Sequence, residues 1–167
     1  MKIFLIGPMG SGKSKIGRIL SEKLSISLFD IDKEIEKDLN MSITEIFASK
    51  GEIFFRNTET DYLIKTKGLR DCIVSTGGGV IEEIKNLEFL KKEANVVFLN
   101  CSVESQYENT KNSAKRPLLL TNDPKLTLQT LYEKRFDSYK KVSKLELLSD
   151  SMSNDEIANE IINHFNV

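Results

Sequence analysis

The stretch that decides the fold is KIFLIGPMGSGKSKIGRIL, residues 2–20. The apolar residues 3–6 predict a short buried strand, and apolar side chains recur at helical spacing after residue 14. Between these two patterns, residues 7–14 match G-x-x-x-x-G-K-[ST]. The stretch therefore predicts a strand, a glycine-rich loop and a helix that packs back on the strand.

A loop with this pattern, between a strand and a helix, is typical of sites that bind a nucleoside triphosphate. Its glycines let backbone N–H groups curl around phosphate oxygens, and the helix start adds the positive end of its dipole. We expect Lys13 to reach the β- and γ-phosphates and the Ser14 hydroxyl to ligate Mg²⁺. The residues expected to contact the nucleotide in this loop are Gly10, Ser11, Gly12, Lys13, Ser14 and Lys15. The alternative is a helix-entry turn with an incidental Lys-Ser pair.

The composition is that of one ordinary soluble globular domain, with 167 residues, 40% hydrophobic and 29% charged. The 24 basic and 25 acidic side chains leave a net charge of −1, so no uniform basic field is available for nucleic acid or an anionic membrane. The longest apolar runs have four residues, whereas a membrane-spanning helix needs about 20. Two cysteines make no disulfide framework. We expect a cytoplasmic chain with no nucleic-acid or membrane partner.

The rest of the chain alternates between strand-like and helical patterns. Short apolar runs predict further strands at residues 27–29, 72–74, 96–99 and 144–148. Helical spacing of apolar residues fills most of the intervals between them. This alternation predicts an α/β layer fold.

Local signals place the element boundaries and one irregular segment. Asp32 stands where it would cap the helix that follows residue 29, and Gly51 and Gly68 are expected helix ends. Residues 111–124 have little periodicity and contain two prolines, which predicts a surface segment that serves as a lid. No linker or internal repeat is evident, so we expect a single domain over residues 1–167.

Acidic residues near the loop narrow the class of nucleotide-binding protein. Asp30 and Asp32 follow the second predicted strand, where they can face a bound metal and a second substrate. The strands at 72–74 and 96–99 lack the terminal acid typical of motor and transport ATPases, and no Asn-Lys-x-Asp element indicates guanine recognition. The pattern favours a small-molecule kinase. The alternative for the two aspartates is one helix cap and one solvated surface acid.

Arginine is scarce, with 5 arginines against 19 lysines, and it is the side chain that grips carboxylate or phosphate with a planar fork. Taken alone, Arg56 and Arg135 would be ordinary solvated or salt-bridged helix residues. A run of three glycines, Gly77–Gly79, follows the strand at 72–74. That position is where open α/β sheets bind ligands, although a flexible turn is the alternative.

Seven segments, in order along nearly the whole chain, resemble the motif set of shikimate kinases. They are FLIGPMGSGKS at 4–14, FDID at 29–32, SITEIF at 42–47, GEIFFR at 51–56, STGGG at 75–79, RPLL at 116–119, and Arg135 with Tyr139. The resemblance implies a three-layer P-loop NTPase fold, nucleoside-monophosphate-kinase-like, with a five-stranded parallel sheet, flanking helices and a lid. It also implies ATP- and Mg²⁺-dependent phosphorylation of the 3-hydroxyl of shikimate, a step toward chorismate and the aromatic amino acids.

The resemblance also implies how the substrate is held. Arg56 and Arg135 would bind the shikimate carboxylate, Asp32 would accept hydrogen bonds from the ring hydroxyls, and the backbone of Gly77, Gly78 and Gly79 would close over the ring. The chemistry agrees, because a small anionic polyhydroxylated ring needs cationic forks at one end and a carboxylate acceptor at the other. The implied substrate region spans about residues 32–60.

Three neighbouring residues would support this site. Glu59, one helical turn after Arg56, would hold its guanidinium as an i, i+3 partner. Phe47 and Phe55 would form apolar walls. The alternatives are an ordinary ion-pair partner for Glu59 and core positions for the two phenylalanines.

For the reaction, we expect Lys13, Mg²⁺ and Arg116 to share the neutralisation of the transferring phosphate. Arg116 would swing in with the lid and contact the nucleotide, while Asp32 orients the hydroxyl and takes its proton. Asp30 would hold Mg²⁺ through water. Tyr139, Cys72, Cys101 and His164 are expected to be structural.

Two alternatives and one departure stay open. A related sugar-acid kinase such as a gluconate kinase would share the phosphate loop and lid, and a non-catalytic nucleotide-binding regulator would bind ATP without turnover. Asn109 stands where the family often has an arginine that packs on adenine, and residues 151–154 show no clear adenine signature. We expect a monomer whose partner is the small-molecule substrate.

Overall fold

The computed structural model describes residues 1–113 and 116–167. Within them, five strands form one sheet: β1 (Lys2–Ile6), β2 (Ser27–Asp30), β3 (Cys72–Ser75), β4 (Val96–Asn100) and β5 (Leu145–Leu148). All neighbouring strands are parallel, in the order β2-β3-β1-β4-β5. Each strand lies within one residue of its predicted bounds, so the predicted α/β fold with a five-stranded parallel sheet is confirmed.

Seven α-helices of the described residues flank this sheet. They are α1 (Lys13–Leu24), α2 (Ile31–Leu39), α3 (Ile43–Lys65), α4 (Ile84–Lys92), α5 (Val103–Thr110), α6 (Pro124–Val142) and α7 (Asn154–Phe165). Short 3-10 turns add residues 66–68, 80–82 and 117–119. Within the described ranges, no helix combines the length and apolar character needed to cross a bilayer.

The central strand β1 is buried on both faces because its side chains alternate between two cores. Phe4 and Ile6 pack with residues of α2, α3, α4 and α6 on one side. Ile3 and Leu5 pack with residues of α1 and α7 on the other side. All four side chains are fully buried, which explains why the strand is a continuous apolar run rather than an alternating one.

Helix α1 lies close against the sheet at Gly17. A Cβ atom at this position would stand 2.9 Å from Cδ1 of Leu28 and 3.4 Å from Cδ1 of Leu5. The absence of a side chain at residue 17 therefore sets the distance between the helix and strands β1 and β2. Because α1 begins in the glycine-rich loop, this contact also fixes the loop relative to the sheet.

The prediction that Asp32 caps helix α2 is wrong, because the cap is Asp30. The Asp30 carboxylate accepts a hydrogen bond from the backbone N–H of Lys33 at 3.4 Å, and the helix begins at Ile31. Strand β2 runs directly into α2 without a connecting loop, so the last strand residue takes the capping position. Asp32 is consequently in the first turn of the helix, with its side chain available for another role.

Helix α3 is interrupted at Gly51, as expected. Gly51 has φ +81° and ψ 167°, so it separates a first segment capped by Ser42 from a second that starts at Glu52. The second segment ends at Lys65 and passes into the turn that contains Gly68. The interruption redirects the chain so that the second segment presents its residues to the carboxyl edge of the sheet.

The predicted lid lies between α5 and α6. Its described part contains the turn at residues 117–119 and ends at Asp123, which caps α6 through the backbone N–H of Leu126 at 3.0 Å. Ala114 and Lys115 lie outside the described residues. That this segment acts as a lid stays a prediction.

The close contact at residue 17 predicts a stability effect. Gly17→Val would force branched atoms against Leu28 and Leu5, and we expect the free energy of unfolding to fall by about 1–3 kcal/mol. Urea denaturation followed by circular dichroism measures it. The control is Gly68→Ala, an exposed position where an added Cβ atom would have no neighbour within 4 Å and where a change below about 0.5 kcal/mol is expected. Equal stability of Gly17→Val and the unsubstituted chain would contradict the packing argument.

Candidate active site

Three chain segments meet at the carboxyl edge of neighbouring strands. In the sheet register, Leu5 of β1 and Asp30 of β2 both pair with Ser75 of β3, so the three strands end side by side. The glycine-rich loop follows β1, the run Gly77–Gly79 follows β3, and α2 follows β2. This is the edge at which open α/β sheets bind ligands.

The glycine-rich loop adopts backbone angles that require glycine. Gly10 and Gly12 have φ of +78° and +88°, in the left-handed region. A side chain at Gly7 would stand 2.3 Å from the carbonyl oxygen of Leu99. The loop therefore packs tightly against the end of β4.

Lys13 lies across this loop rather than in solvent. Its Nζ donates to the carbonyl oxygens of Gly7 and Pro8, both at 2.7 Å. Burial and, to a smaller extent, the nearby positive charge of Arg116 lower the pKa of Lys13 to about 8, whereas Asp32 acts in the opposite direction. An anion beside the loop would stabilise the charged form of this ammonium group, so the site suits a phosphate.

A cavity of about 460 Å³, here called the nucleotide cavity, opens over the loop. Helix α1 starts beneath it, and Gly12 at its N-cap supplies no side-chain cap, so the positive end of the helix is open to an anion. The residues that line the nucleotide cavity are Gly10, Ser11, Gly12, Lys13, Ser14, Lys15, Asp32, Thr76, Gly78, Ser105, Asn109, Arg116, Ser149, Asp150 and Asn154. All six predicted loop contacts thus face one space.

The oxygens beside the loop fit a magnesium ion that is carried by phosphates. Ser14 Oγ lies 3.4 Å from Ser75 Oγ, at the end of the strands. The second carboxylate oxygen of Asp30, Oδ2, is buried and has no partner among the described residues. Residues 1–113 and 116–167 contain no group of three His, Cys, Asp or Glu side chains that could hold a metal alone. Magnesium commonly binds to one or two protein oxygens together with substrate phosphates and water, and this donor set matches that habit.

A second cavity, here called the arginine cavity, adjoins the first. It is lined by Met9, Asp32, Ile43, Phe47, Phe55, Arg56, Glu59, Gly77, Gly78, Gly79, Arg116, Pro117, Leu118 and Arg135. Asp32, Gly78 and Arg116 line both cavities. The structure therefore brings the predicted substrate residues together and places them directly beside the phosphate loop.

The arginine cavity is smaller than the nucleotide cavity, with a volume of about 50 Å³ against about 460 Å³. Pro117 and Leu118 of the predicted lid form part of its wall. The Nε of Arg116 is buried and has no hydrogen-bond partner among the described residues. A ligand at the boundary of the two cavities would give this nitrogen a partner.

Arg56 is held by two glutamates of its own helix. Nη1 donates to Glu59 Oε2 at 2.8 Å, while Nη2 and Nε donate to Glu52 Oε1 at 3.1 and 3.3 Å. A guanidinium has five N–H groups, so one on Nη1 and one on Nη2 stay free for a ligand. The predicted contact between Arg56 and Glu59 is confirmed, whereas the contribution of Glu52 was not expected.

Arg135 is held by Glu82, which the sequence analysis missed. Nε of Arg135 donates to Glu82 Oε1 at 2.7 Å, and Nη2 donates to the same oxygen. Glu82 Oε2 accepts from Lys134 at 2.7 Å. These cations lower the pKa of Glu82 against the effect of its partial burial. In the sequence, the only signal for a role of Glu82 is its position three residues after the glycine run.

Tyr139 does more than fill the core. Its ring stacks on Phe98 with centroids 4.9 Å apart, and its hydroxyl donates to the carbonyl oxygen of Gly78. Burial raises the pKa of this hydroxyl well above its usual range, so it stays a donor at neutral pH. Helix α6 thus contacts two neighbouring segments. Tyr139 holds the glycine run, and Arg135 holds the turn that follows the run.

The glycine run is packed against charged side chains. A Cβ atom on Gly79 would stand 2.3 to 2.4 Å from the guanidinium atoms of Arg56. A Cβ atom on Gly77 would stand 2.2 Å from Glu59 Oε1 and 3.0 Å from Asp32 Oδ1. None of the three residues has a positive φ, so the backbone conformation does not require glycine here. Glycine is required at positions 77 and 79 because a side chain would occupy the place of these charged groups.

Two phenylalanines form the apolar wall and also belong to the core. Their rings contact each other with centroids 5.0 Å apart, and both line the arginine cavity. Phe55 is buried in the core and Phe47 packs against it. The core positions of Phe47 and Phe55 are confirmed, and their role as walls of a substrate site stays a prediction.

The far end of the nucleotide cavity is lined by short polar side chains. Asn109 donates to the carbonyl oxygen of Gly10 at 2.9 Å, so it tethers α5 to the phosphate loop. Asp150 accepts from the backbone N–H of Ser102 at 2.8 Å.

Three residues that were expected to be structural lie outside both cavities. Cys72 and Cys101 are free and buried. The His164 ring packs on Phe165 with centroids 4.8 Å apart.

Comparison with known proteins gives consistent results. The family model described as shikimate kinase matches residues 9–166. The shikimate kinase of Marinomonas sp. (strain MWYL1) is 40% identical over 162 residues, which are 96% of this chain and 89% of that protein. The structure of a shikimate kinase from Acinetobacter baumannii in complex with shikimate has a TM-score of 0.95 and 34% identity, over 99% of this chain and 92% of that one.

A more distant structure bears on the fold alone. A deoxyadenosine kinase from M. mycoides with bound dATP has a TM-score of 0.65 and 17% identity, over the full length of both chains. That kinase therefore shares this arrangement of sheet and helices. By the match of its own sequence over nearly its whole length, the chain belongs to the shikimate kinase family.

Proposed function

We propose that this chain transfers the γ-phosphoryl group of ATP to the 3-hydroxyl of shikimate, giving shikimate 3-phosphate and ADP. The observation that carries the proposal is that the nucleotide and arginine cavities share Asp32, Gly78 and Arg116. A ligand between Arg56 and Arg135 would lie beside the place where the phosphate loop holds a γ-phosphate. Family membership supports shikimate as the acceptor.

The carboxylate of the substrate binds between the two arginines. Each guanidinium already has its Nε edge engaged by a glutamate, Glu52 for Arg56 and Glu82 for Arg135. The N–H groups that remain free on the Nη atoms of both arginines can donate to one small anion between them. Phe47 and Phe55 cover the apolar part of the ring.

Asp32 orients the reacting hydroxyl at the boundary of the two cavities. The hydroxyl oxygen forms a bond to the γ-phosphorus while the bond from this phosphorus to the β,γ-bridging oxygen breaks. The electron pair leaves with ADP, and the hydroxyl proton passes to Asp32. Burial raises the pKa of Asp32, followed by the charge of Asp30, which improves its capacity to accept a proton.

Charge on the transferring group is neutralised from two sides. Lys13 gives up its carbonyl contacts for the β- and γ-phosphates, and Arg116 approaches from the lid side. Mg²⁺, bound to the Ser14 hydroxyl and through water to Asp30, would stabilise negative charge on the phosphate oxygens. The backbone of Gly10, Ser11 and Gly12, with Lys15 at the rim, completes the contacts to the nucleotide.

The proposal treats residues 1–167 as one kinase domain. Its substrate region is residues 32–60 and its lid is residues 111–124, which closes over both cavities and excludes water. The proposal also takes the protein to be a cytoplasmic monomer.

The direct test is ADP release measured with a coupled assay. We expect MgATP turnover to depend on shikimate and to be at least about 100-fold slower with gluconate as the acceptor, because gluconate lacks the ring that fits between the phenylalanines and Asp32. Turnover with gluconate at the rate seen with shikimate would favour the sugar-acid kinase alternative. Nucleotide binding with no shikimate-dependent ADP release would favour the regulator.

Gly79→Ala tests the packing of the glycine run on Arg56. The new methyl group would overlap the guanidinium, so we expect the shikimate KM to rise by about tenfold or more while the ATP KM changes by less than about threefold. Steady-state kinetics with each substrate varied measures both values. Gly68→Ala is the control, and an unchanged shikimate KM for Gly79→Ala would contradict the placement of Arg56.

Arg116→Ala tests the cation at the boundary of the cavities. Loss of a cation that acts mainly in the transition state is expected to slow the single-turnover rate by about 100-fold or more, with a smaller effect on shikimate binding. Rapid-quench measurement of ADP formation gives this rate. Arg70→Ala, which removes an exposed arginine outside both cavities, should leave it unchanged. A normal chemical step in Arg116→Ala would exclude the proposed role.

A further inference from the structure

Glu59 has one carboxylate oxygen without a partner in the described parts of the chain. Oε2 accepts from Arg56 Nη1 at 2.8 Å, but Oε1 is buried and accepts no hydrogen bond from any described residue. The Glu59 side chain is 0% exposed, so bulk water does not reach it. A buried, unpartnered oxygen of this kind is costly and calls for an explanation.

Asp32 presents a matching oxygen at the same place. Its Oδ1 is also buried and also has no partner among residues 1–113 and 116–167. Glu59 Oε1 and Asp32 Oδ1 both lie within 3.0 Å of one point, the position of a Cβ atom on Gly77. The two oxygens therefore lie within about 5 Å of each other. Two ionised carboxylates at this range and shielded from bulk water repel each other, and a proton on one of them removes the repulsion.

The charges around Glu59 come from every element packed against it. Helix α3 contributes Arg56 and Glu52, α2 contributes Asp32, α6 contributes Arg135 and Tyr139, and the turn after the glycine run contributes Glu82. Burial is the largest influence and raises the pKa of Glu59 to about 7, with Asp32 acting in the same direction and both arginines against it.

We propose that Glu59 is a positioning residue that is protonated when shikimate is bound and donates a hydrogen bond to Oδ1 of Asp32. Asp32 stays ionised, with its other oxygen directed to the substrate. The neutral Glu59 no longer cancels the charge of Arg56, which becomes available to the substrate carboxylate. This inference rests on the proposed function, since it concerns the binding of that substrate.

Coupling between the substrate and the proton follows from electrostatics. A carboxylate placed between Arg56 and Arg135 adds a negative charge close to Glu59, and a nearby like charge raises the pKa of a carboxyl group. Binding should therefore be accompanied by proton uptake at a pH where free Glu59 is ionised. By linkage, shikimate affinity should fall as pH rises through the pKa of Glu59.

The test is isothermal titration calorimetry of the full chain with shikimate and no nucleotide, at pH 6 and pH 8, in two buffers with different ionisation enthalpies. Omitting nucleotide avoids the protonation that phosphates would cause at Lys13, whose pKa is lowered to about 8; any uptake by Lys13 on shikimate binding is measured in the Glu59→Gln variant. We expect uptake approaching one proton at pH 8, little at pH 6, and a Kd about tenfold higher at pH 8. Shikimate binding without proton uptake in the unsubstituted chain would overturn this inference while leaving the proposed function intact.

Matched variants identify the group that takes the proton. Glu59→Gln keeps an N–H donor for Asp32 and an oxygen for Arg56, so it should bind shikimate with the same Kd at both pH values and without proton uptake. Glu52→Gln is the matched control, because Glu52 contacts Arg56 but not Asp32. Relative to the unsubstituted chain, this variant should keep the proton uptake, and its Kd should change by the same factor at pH 6 and at pH 8. Uptake that persists in Glu59→Gln would place the proton elsewhere and overturn the proposal.

A second variant covers the case in which Glu59→Gln does not fold. Asp32→Asn removes the charge that raises the pKa of Glu59, so the uptake at pH 8 should decrease, and an undiminished uptake would count against the pair. Absence of any shikimate binding to the unsubstituted chain at either pH would instead contradict the proposed function.

Discussion

The parallel pairing of β2, β3 and β1 is the constraint on which the site depends. Leu5, Ser75 and Asp30 lie in one register across these strands, so the phosphate loop, the glycine run and the start of α2 emerge at one level. A slip of one residue in this pairing would turn the alternating side chains to the opposite faces. It would also move Asp32, which follows β2, away from the glycine-rich loop, which follows β1.

Buried arginines are the second requirement, and they explain the distribution of glutamates. The residues Arg56 and Arg135 are 7% and 2% exposed, and a guanidinium removed from water costs several kcal/mol unless it is paired and hydrogen-bonded. Glu52, Glu59 and Glu82 supply this pairing before any ligand arrives. The two guanidinium groups are therefore held in place without a ligand, and in the proposed function a substrate carboxylate would meet donors that are already oriented.

The glycine run connects these two requirements. It follows β3 at the common edge, and its lack of side chains lets Arg56, Glu59 and Asp32 approach the backbone. Tyr139 holds it from the opposite side through the carbonyl oxygen of Gly78. The backbone of the run thus forms the boundary between the nucleotide cavity and the arginine cavity.

The sequence predicted the strands and the glycine-rich loop, because apolar periodicity and glycine placement are local signals. The roles of Asp32, Arg56 and Arg135 were implied by the resemblance to shikimate kinases. Ser105, Ser149 and Asp150 of the nucleotide cavity were not predicted, because they become neighbours of the loop only in the fold. The pairing of Arg56 with Glu59 was predicted from a local signal, since residues three apart share a helix face. Glu82 and Tyr139 could not be assigned roles because their partners, Arg135 and Gly78, are far away in the chain. The cap of α2 was misassigned because nothing in residues 29–32 shows that β2 continues directly into the helix.

The central claim is that a phosphate cradle and two arginine forks serve one reacting pair of molecules. A crystal structure of the chain with shikimate and a non-hydrolysable ATP analogue tests it most directly. The account predicts the shikimate carboxylate between Arg56 and Arg135 and the 3-hydroxyl oxygen about 3–3.5 Å from the γ-phosphorus, near Asp32. Shikimate bound away from these arginines, or with its hydroxyls directed away from the γ-phosphorus, would contradict it.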